Sequence, residues 1–143
     1  MTGRTRAYAL DISEHLFLLT TEGIRLRSNE TRRYQTLAKL VTDRLQVEPR
    51  LGVEDLVSLR EHLEATPTKG GIRIHLNISR TSANSLIDVK KRLAQELGGD
   101  LTVGDALSIL LFDYIAERAT DLAVRRSSHA ASEPRGVEDD CPP

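Results

Sequence analysis

The sequence predicts a mainly helical protein with two short strands, in which a unit of strand, helix and helix occurs twice. Two observations predict this class. Ile72–Ser79, IRIHLNIS, alternates apolar and polar side chains without interruption, which is the period of a half-buried strand. Two stretches of helical periodicity follow that strand, and the same order of patterns is found near the start of the chain.

The length of 143 residues suits one domain with a hydrophobic core, or two small modules that share one core. The single cysteine, Cys141, lies between acidic residues and prolines, so we expect no disulfide framework and a reducing compartment. No apolar run is long enough to span a bilayer, and MTGRTRAYALDIS lacks the apolar core of a signal peptide. We therefore expect a cytoplasmic protein without a membrane partner.

The charge is unevenly distributed, although the net charge is only -1. Residues 1–35 have six basic and four acidic side chains, residues 66–98 have six and two, and residues 99–124 have one and five. Positive charge therefore gathers around the two predicted strands, and negative charge gathers in the last helix. A protein with one DNA-facing side requires such a distribution, although ordinary mixed surface charge also produces it.

The second unit spans residues 71–124 and has the clearer pattern. After the strand, a helix ends at Gly98 and Gly99, and Thr102 with Asp105 forms a capping-box start for the next helix. The apolar positions at helical spacing are Leu86, Val89, Leu93, Ala94 and Leu97 in the first helix and Val103, Leu107, Leu110, Leu111 and Tyr114 in the second. The order is strand, helix, short turn, helix.

The first unit, residues 1–45, repeats this order less clearly. ALDIS aligns on HLNIS at a constant offset, which pairs Leu10 with Leu76 and Ser13 with Ser79. We expect a short first helix, interrupted by Gly23, and a second helix that begins at Ser28 or Asn29. The inward positions are Leu16, Leu19 and Ile24 in the first helix and Tyr34, Leu37, Ala38, Val41 and Leu45 in the second.

A linker and a tail complete the chain. Residues 46–70 contain Pro49, a predicted helix VEDLVSLREHLEA and the breaker TPTKGG. About 25 flexible residues reach roughly 25 to 30 Å, so the two units can meet. Residues 125–143 have few apolar side chains and two terminal prolines, which predicts a disordered tail.

A strand followed by two helices in about 50 residues resembles the ribbon-helix-helix family of DNA-binding proteins, the Arc and MetJ class. In that family two units pair their strands into a two-stranded antiparallel ribbon that enters the major groove, and the helices form the shared core. The resemblance covers Arg6 to Ala119. With two units in one chain, the sequence is similar to the tandem members of the family, which include an accessory protein of T-DNA transfer. This similarity implies a pseudo-two-fold domain, either as a monomeric pseudo-dimer or as a homodimer.

The resemblance implies that the outward ribbon residues contact base edges. On the second strand these are Arg73, His75 and Asn77, whose donors and acceptors suit guanine and adenine. The matching positions of the first strand are Ala7, Ala9 and Asp11. Because two of these have no polar side chain, we expect an asymmetric target with most contacts under the second strand. The alternative is that both polar faces meet only solvent.

Phosphate contacts in this family come from the N-terminus of the second helix, where free N–H groups favour an anion. The resemblance therefore implies Ser28, Asn29, Thr31 and Arg32 in the first unit and Thr102, Val103 and Gly104 in the second. Simple helix capping explains these residue types equally well. Arg4 and Arg6 in a basic N-terminal arm are further candidates for backbone contacts.

No motif of an enzyme, cofactor site or metal site is legible. His15, His62, His75 and His129 lack the spacing of zinc ligands, and there is no cysteine pair. Gly70 and Gly71 precede a strand rather than a helix, so they indicate a turn and not a phosphate loop. Adjacent carboxylates lie in the predicted linker and tail, where solvated charge explains them. We expect no catalysis, no cofactor and no metal.

Two functional hypotheses follow. The first is a sequence-specific double-stranded DNA-binding protein, acting as a transcriptional repressor or as an accessory factor in conjugation, at a plasmid transfer or partition site, with a relaxase or partition protein as partner. The second is a protein-interaction module, as in antitoxins of this fold, which uses the core mainly to dimerise while the linker helix or tail binds a toxin.

Overall fold

The two predicted strands pair with each other in one antiparallel sheet. The computed structural model describes residues 5–47 and 53–132, with side chains for 5–47 and 56–125. Strand β1 (Thr5–Ile12) runs antiparallel to β2 (Ile72–Ser79), in a register from Thr5 opposite Ser79 to Ile12 opposite Ile72. The helices are α1 (Glu14–Thr31), α2 (Leu37–Leu45), α3 (Val53–Ala65), α4 (Arg80–Leu97) and α5 (Val103–Ser132). A mainly α protein with short β is confirmed.

The order of strand, helix and helix repeats at a constant spacing of 66 residues. The N-cap residues Ser13 and Ser79 are 66 residues apart, the helices α1 and α4 that follow them each have 18 residues, and the starts of α2 and α5 differ by the same 66 residues. In both first helices the N-cap hydroxyl accepts a backbone N–H three residues on, at 3.0 Å from Leu16 and 3.1 Å from Ser82. The same local hydrogen bond therefore starts both helices.

Helix α1 is one uninterrupted helix, contrary to the predicted interruption at Gly23. Gly23 is instead a buried point of close helix packing. A Cβ atom at this position would lie 2.9 Å from Cδ2 of Leu40 in α2 and 3.2 Å from Cδ2 of Leu111 in α5. The absence of a side chain lets α1 approach both helices, so the glycine serves packing rather than a break.

The predicted start of the second helix at Ser28 or Asn29 is also wrong. Both residues lie in the last turns of α1, which ends at the left-handed residue Arg32 (φ 60°). Helix α2 begins after Thr36, whose side chain accepts the Lys39 N–H at 3.2 Å. Tyr34, predicted on the apolar stripe of that helix, is fully exposed in the connecting turn.

Helix α5 passes through the centre of the core. Its residues 106–111 are all buried, including the polar Ser108, because α1, α2, α3 and α4 all pack against this helix. Over these six residues the helix is covered on every side, as is typical of a helix inside a protein. Of the predicted stripe, Leu107, Leu110, Leu111 and Tyr114 are buried and Val103 is partly buried.

Helix α3 has the predicted bounds but packs as part of the core. Leu59 is buried, and the His62 ring stacks on Phe112 of α5 with 4.3 Å between ring centroids. His62 Nε2 also forms a 2.7 Å hydrogen bond with the Ser108 hydroxyl, which satisfies that buried polar group. The segment between the two units therefore covers one side of α5 and is more than a connection.

The end of α5 extends beyond its predicted limit. The helix runs to Ser132, so the disordered tail predicted from residue 125 does not begin there; residues 133–143 lie outside the described part of the chain. Over the described residues, every helix is too short or too polar to cross a membrane.

Candidate nucleic-acid interface

The six predicted base-contact residues lie together on the exposed face of the β1–β2 sheet. The register joins them in three cross-strand pairs, which are Ala7 with Asn77, Ala9 with His75, and Asp11 with Arg73. All six are exposed, because successive side chains of a strand point to opposite faces. We call this surface the ribbon face. The sheet thus gathers side chains that are more than 60 residues apart in sequence.

The opposite face of the sheet is fixed against the helices. Tyr8 and Ile12 of β1 and Leu76 and Ile78 of β2 are all buried. The remaining inward apolar residues of the sheet, Leu10, Ile72 and Ile74, are partly buried against the same core. The ribbon face is therefore presented by a sheet whose back is packed, which limits how far its side chains can move as a group.

The β2 side of the ribbon face is the polar side. Ala7 and Ala9 end at Cβ, so the longer side chains of Asn77 and His75 opposite them extend beyond their partners on β1. Within the described residues neither His75 nor Asn77 has a side-chain hydrogen bond or ion pair. Their donors and acceptors are therefore available to a ligand.

Asp11 and Arg73 form a two-point ion pair across the sheet. Arg73 Nε donates to Asp11 Oδ1 at 2.6 Å, and Nη2 donates to Oδ2 at 3.2 Å. The hydrogen bond from the Arg73 side chain lowers the pKa of Asp11, and the same contact raises the pKa of Arg73. The one carboxylate of the ribbon face is therefore paired with a cation.

The N-terminus of α5 has the predicted capping box. The Thr102 hydroxyl accepts the Asp105 N–H at 3.0 Å, and the Asp105 carboxylate accepts the Thr102 N–H at 3.0 Å. The next two backbone N–H groups, of Val103 and Gly104, have no hydrogen-bond partner among the described residues. They line an open cleft of about 380 Å³ together with Lys69 and the end of β1. Capping and two free N–H groups therefore coexist at this helix end.

The corresponding helix end of the first unit lies at Thr36, which the sequence analysis missed. Thr36 lies 66 residues before Thr102, which is the same offset that relates the two strands, so the repeat itself is the signal for this helix start. Beyond this N-cap, the N–H groups of Leu37 and Ala38 have no partner in the described part of the chain. Thr36, Leu37 and Ala38 thus replace the predicted residues as the helix end that is open to an anion.

The four residues predicted to bind phosphate in the first unit, Ser28, Asn29, Thr31 and Arg32, lie at the C-terminal end of α1. Ser28 accepts the Gln35 N–H at 3.1 Å, and Thr31 donates to the Arg27 carbonyl at 2.9 Å while it accepts from Gln35 Nε2 at 3.0 Å. These two side chains therefore hold the turn between α1 and α2. Asn29 and Arg32 are exposed, and Arg32 lies four residues before Thr36.

The N-terminal arm is described only in part. Arg4 lies outside the described residues, and Arg6 belongs to β1 rather than to an arm. The Arg6 guanidinium is 4.9 Å from the centre of the Tyr8 ring on the core side of the strand. Arg6 is exposed there, although it does not belong to the ribbon face.

Comparisons with known proteins identify no relative of this chain. The chain matches no protein-family model, no curated protein and no solved structure. Among the described residues, no three His, Cys, Asp or Glu side chains are grouped as metal ligands would be. The functional argument therefore depends on the ribbon face and on the N-termini of α2 and α5.

Proposed function

We propose that this protein is a tandem ribbon-helix-helix protein that binds double-stranded DNA by inserting the β1–β2 ribbon in the major groove. The observation that carries the proposal is the ribbon face. On it Arg73, His75 and Asn77 form an exposed polar row along β2, while the other face of the sheet packs against the helices. The major groove of B-DNA admits a two-stranded ribbon and presents base edges that these three side chain types recognise.

The internal repeat supports a pseudo-two-fold arrangement of the ribbon. Residue i of β1 aligns with residue i+66, and the antiparallel register places one such aligned pair, Ala9 and His75, directly opposite each other. An antiparallel pair related by a two-fold axis has one position that faces its own equivalent, at the axis. Ala9 and His75 would then mark the centre of the site, and the pairs on either side would be equivalent in position.

Positive charge and two open helix ends support phosphate contacts. The N-termini of α2 and α5 each have two N–H groups without a described partner, and the positive ends of helices favour phosphate. Lys69 lies at the cleft beside α5, and the exposed Arg32 and Arg33 precede α2. We propose that these groups orient the ribbon on the DNA backbone, while the ribbon face selects the sequence.

The proposed biological role is an accessory factor at a plasmid transfer or partition site, with transcriptional repression as the other use of the same activity. Both roles require sequence-specific binding and no catalysis. An accessory factor would bend or mark its site for a relaxase or a partition protein, whereas a repressor needs only to occupy it. The ribbon face supports the shared step, which is recognition of DNA.

Selection from a random duplex library tests the proposal. Wild-type protein is compared with the variant Arg73→Ala/His75→Ala/Asn77→Ala at near-physiological salt. A matched control, Lys91→Ala/Gln95→Ala, removes one cation and one amide from exposed positions of α4. We expect wild type and control to enrich one asymmetric motif and the ribbon variant to enrich none, because base-edge contacts carry the sequence information.

The other outcomes would contradict the proposal in different ways. Equal enrichment by the ribbon variant would show that another surface recognises the bases. No enrichment by the wild type, with only weak and salt-sensitive binding, would exclude sequence recognition and favour the protein-interaction module. Thermal unfolding of each variant ensures that a lost motif does not reflect a lost fold.

A further inference from the structure

The Asp11–Arg73 pair gives one end of the ribbon face a chemistry that the other end lacks. We infer that Asp11 is a positioning residue that presents Arg73 to guanine, so that the Asp11–Arg73 pair recognises one G·C base pair. This pair would then set the orientation of the protein on an asymmetric site. The inference rests on the proposed function and deepens it, since it names the base pair and the residue that selects it.

The hydrogen-bond geometry leaves the outer end of the guanidinium free. Arg73 has five N–H donors in a rigid fork, and Asp11 occupies Nε and one hydrogen of Nη2. The remaining hydrogens include one on Nη1 and one on Nη2, which form the parallel pair that guanine O6 and N7 accept. The side chains of Arg73 and Asp11 are 59% and 55% exposed, so a base edge can reach them.

The pair as a whole complements a G·C edge. In the major groove guanine presents two acceptors, and its cytosine partner presents the N4 amino donor beside them. Arg73 supplies the donors for guanine. The Asp11 carboxylate has lone pairs that Arg73 does not use, so this carboxylate can accept a hydrogen bond from cytosine N4. An A·T pair presents an adenine amino donor to the guanidinium instead, which leaves donors facing donors.

The opposite end of the ribbon has no such pair. There Asn77 faces Ala7, and within the described residues no side chain restrains the Asn77 amide. Asn suits adenine N6 and N7, so the two ends favour different bases. Arg73 and Asn77 are four residues apart, about 13 Å along a strand, which corresponds to about four base pairs of B-DNA.

Quantitative binding of Asp11→Asn tests the inference. The selected duplex and its single-base substitutions are titrated at fixed salt with wild type, Asp11→Asn, Asp11→Glu and Arg73→Lys. A control, Glu61→Gln, removes one exposed carboxylate from α3. The wild type and this control should prefer G·C to A·T about tenfold or more at one position.

Asp11→Asn should reduce that preference to about threefold or less, while the preference about four base pairs away stays unchanged. Affinity for random duplex should rise, since a carboxylate near phosphates has been removed. Asp11→Glu should recover most of the preference. Arg73→Lys should lose the preference and keep its salt dependence, because lysine retains the charge and lacks the fork.

Three results would overturn the inference, and they are distinguishable. If Asp11→Asn keeps the full G·C preference, Asp11 does not position Arg73, and the proposed DNA recognition stands without it. If the wild type selects no sequence at all, the proposed function fails and the inference fails with it. A uniform loss of affinity for every duplex in Asp11→Asn would indicate a structural role and would also overturn the inference.

Discussion

Arg32 combines an unfavourable backbone conformation with an exposed, charged side chain. It ends α1 with a positive φ of 60°, whereas Gly98, 66 residues later, ends α4 with a φ of 79°. Glycine adopts this conformation without strain, and a residue with a Cβ does not. The equivalent helix end in this same chain uses the unstrained choice. The guanidinium of Arg32 is exposed at this position, and it is one of the groups proposed above to contact the DNA backbone.

Replacement of Arg32 by glycine should change stability and binding in opposite directions. Arg32→Gly should raise the free energy of unfolding by about 0.5 to 1 kcal/mol, because it removes left-handed strain. It should weaken binding to all duplexes about equally and reduce the salt slope by about one phosphate contact. Denaturant unfolding and salt titrations measure the two effects. Arg33→Gly, which removes the same charge from a residue without positive φ, should weaken binding without the gain in stability.

At the scale of elements, α3 shows how a connecting segment becomes part of the core. The His62 side chain reaches Ser108 and Phe112 on the side of α5 that α3 covers. Burial lowers the pKa of His62. Protonation would therefore disfavour the docked position of α3, since the charged ring would lose solvation against an apolar neighbour.

Acidification should weaken the fold through His62. Its pKa is lower in the folded state than the unfolded value near 6.5, so above that pH it contributes no pH dependence. As the pH falls below about 6.5 the unfolded state takes up a proton first, and stability declines. One proton can change the free energy of unfolding by at most about 1.4 kcal/mol per pH unit. We expect His62 to contribute only a fraction of that, because its ring is half-buried.

Unfolding at pH 7.5 and pH 5.5 measures this effect. His62→Gln should show a smaller loss of stability between the two values than the wild type. His15→Gln, which changes an exposed histidine of α1, should match the wild type. Equal losses in all three proteins would assign the pH dependence to other groups, such as the carboxylates.

For the whole molecule, both strands of the ribbon come from one chain. The end of β1 and the start of β2 are joined through α1, α2 and α3, and the buried Arg44 of α2 pairs with Asp113 and Glu117 of α5 at 3.4 Å and 2.9 Å. Contacts between the two units are therefore intramolecular. A tether of this kind makes the pairing of the units independent of protein concentration.

The melting temperature should accordingly stay constant over a hundredfold range of protein concentration. Differential scanning fluorimetry or circular dichroism measures this directly, with sedimentation velocity as a check for a monomer. A melting temperature that rises with concentration would indicate a homodimer in which the strands are exchanged between chains. The homodimer named in the sequence analysis would then be the stable form.

The strands and the second unit could be predicted well because their signals are local. Alternation along IRIHLNIS, the capping box at Thr102 and the stop at Gly98 each depend on neighbouring residues only. The turn before α2 could not be predicted in this way, since Thr31 to Gln35 lack a glycine and a clear breaker. There the helix continues to Thr31, and the turn after it is held by Gln35, which donates its backbone N–H to the Ser28 hydroxyl and its side-chain Nε2 to the Thr31 hydroxyl. The sequence signal for this helix start is the repeat offset of 66 residues, which relates Thr36 to Thr102.

The sequence by itself determined which side chains share a face of each strand and which residues begin most helices, because periodicity and caps act over a few residues. Only the tertiary structure decided that Asp11 lies opposite Arg73, that α3 covers α5 and that Gly23 marks a close helix contact. Each of these depends on residues far apart in sequence. Their pairing is set by how the whole core packs, and packing is a property of the folded chain rather than of any local pattern.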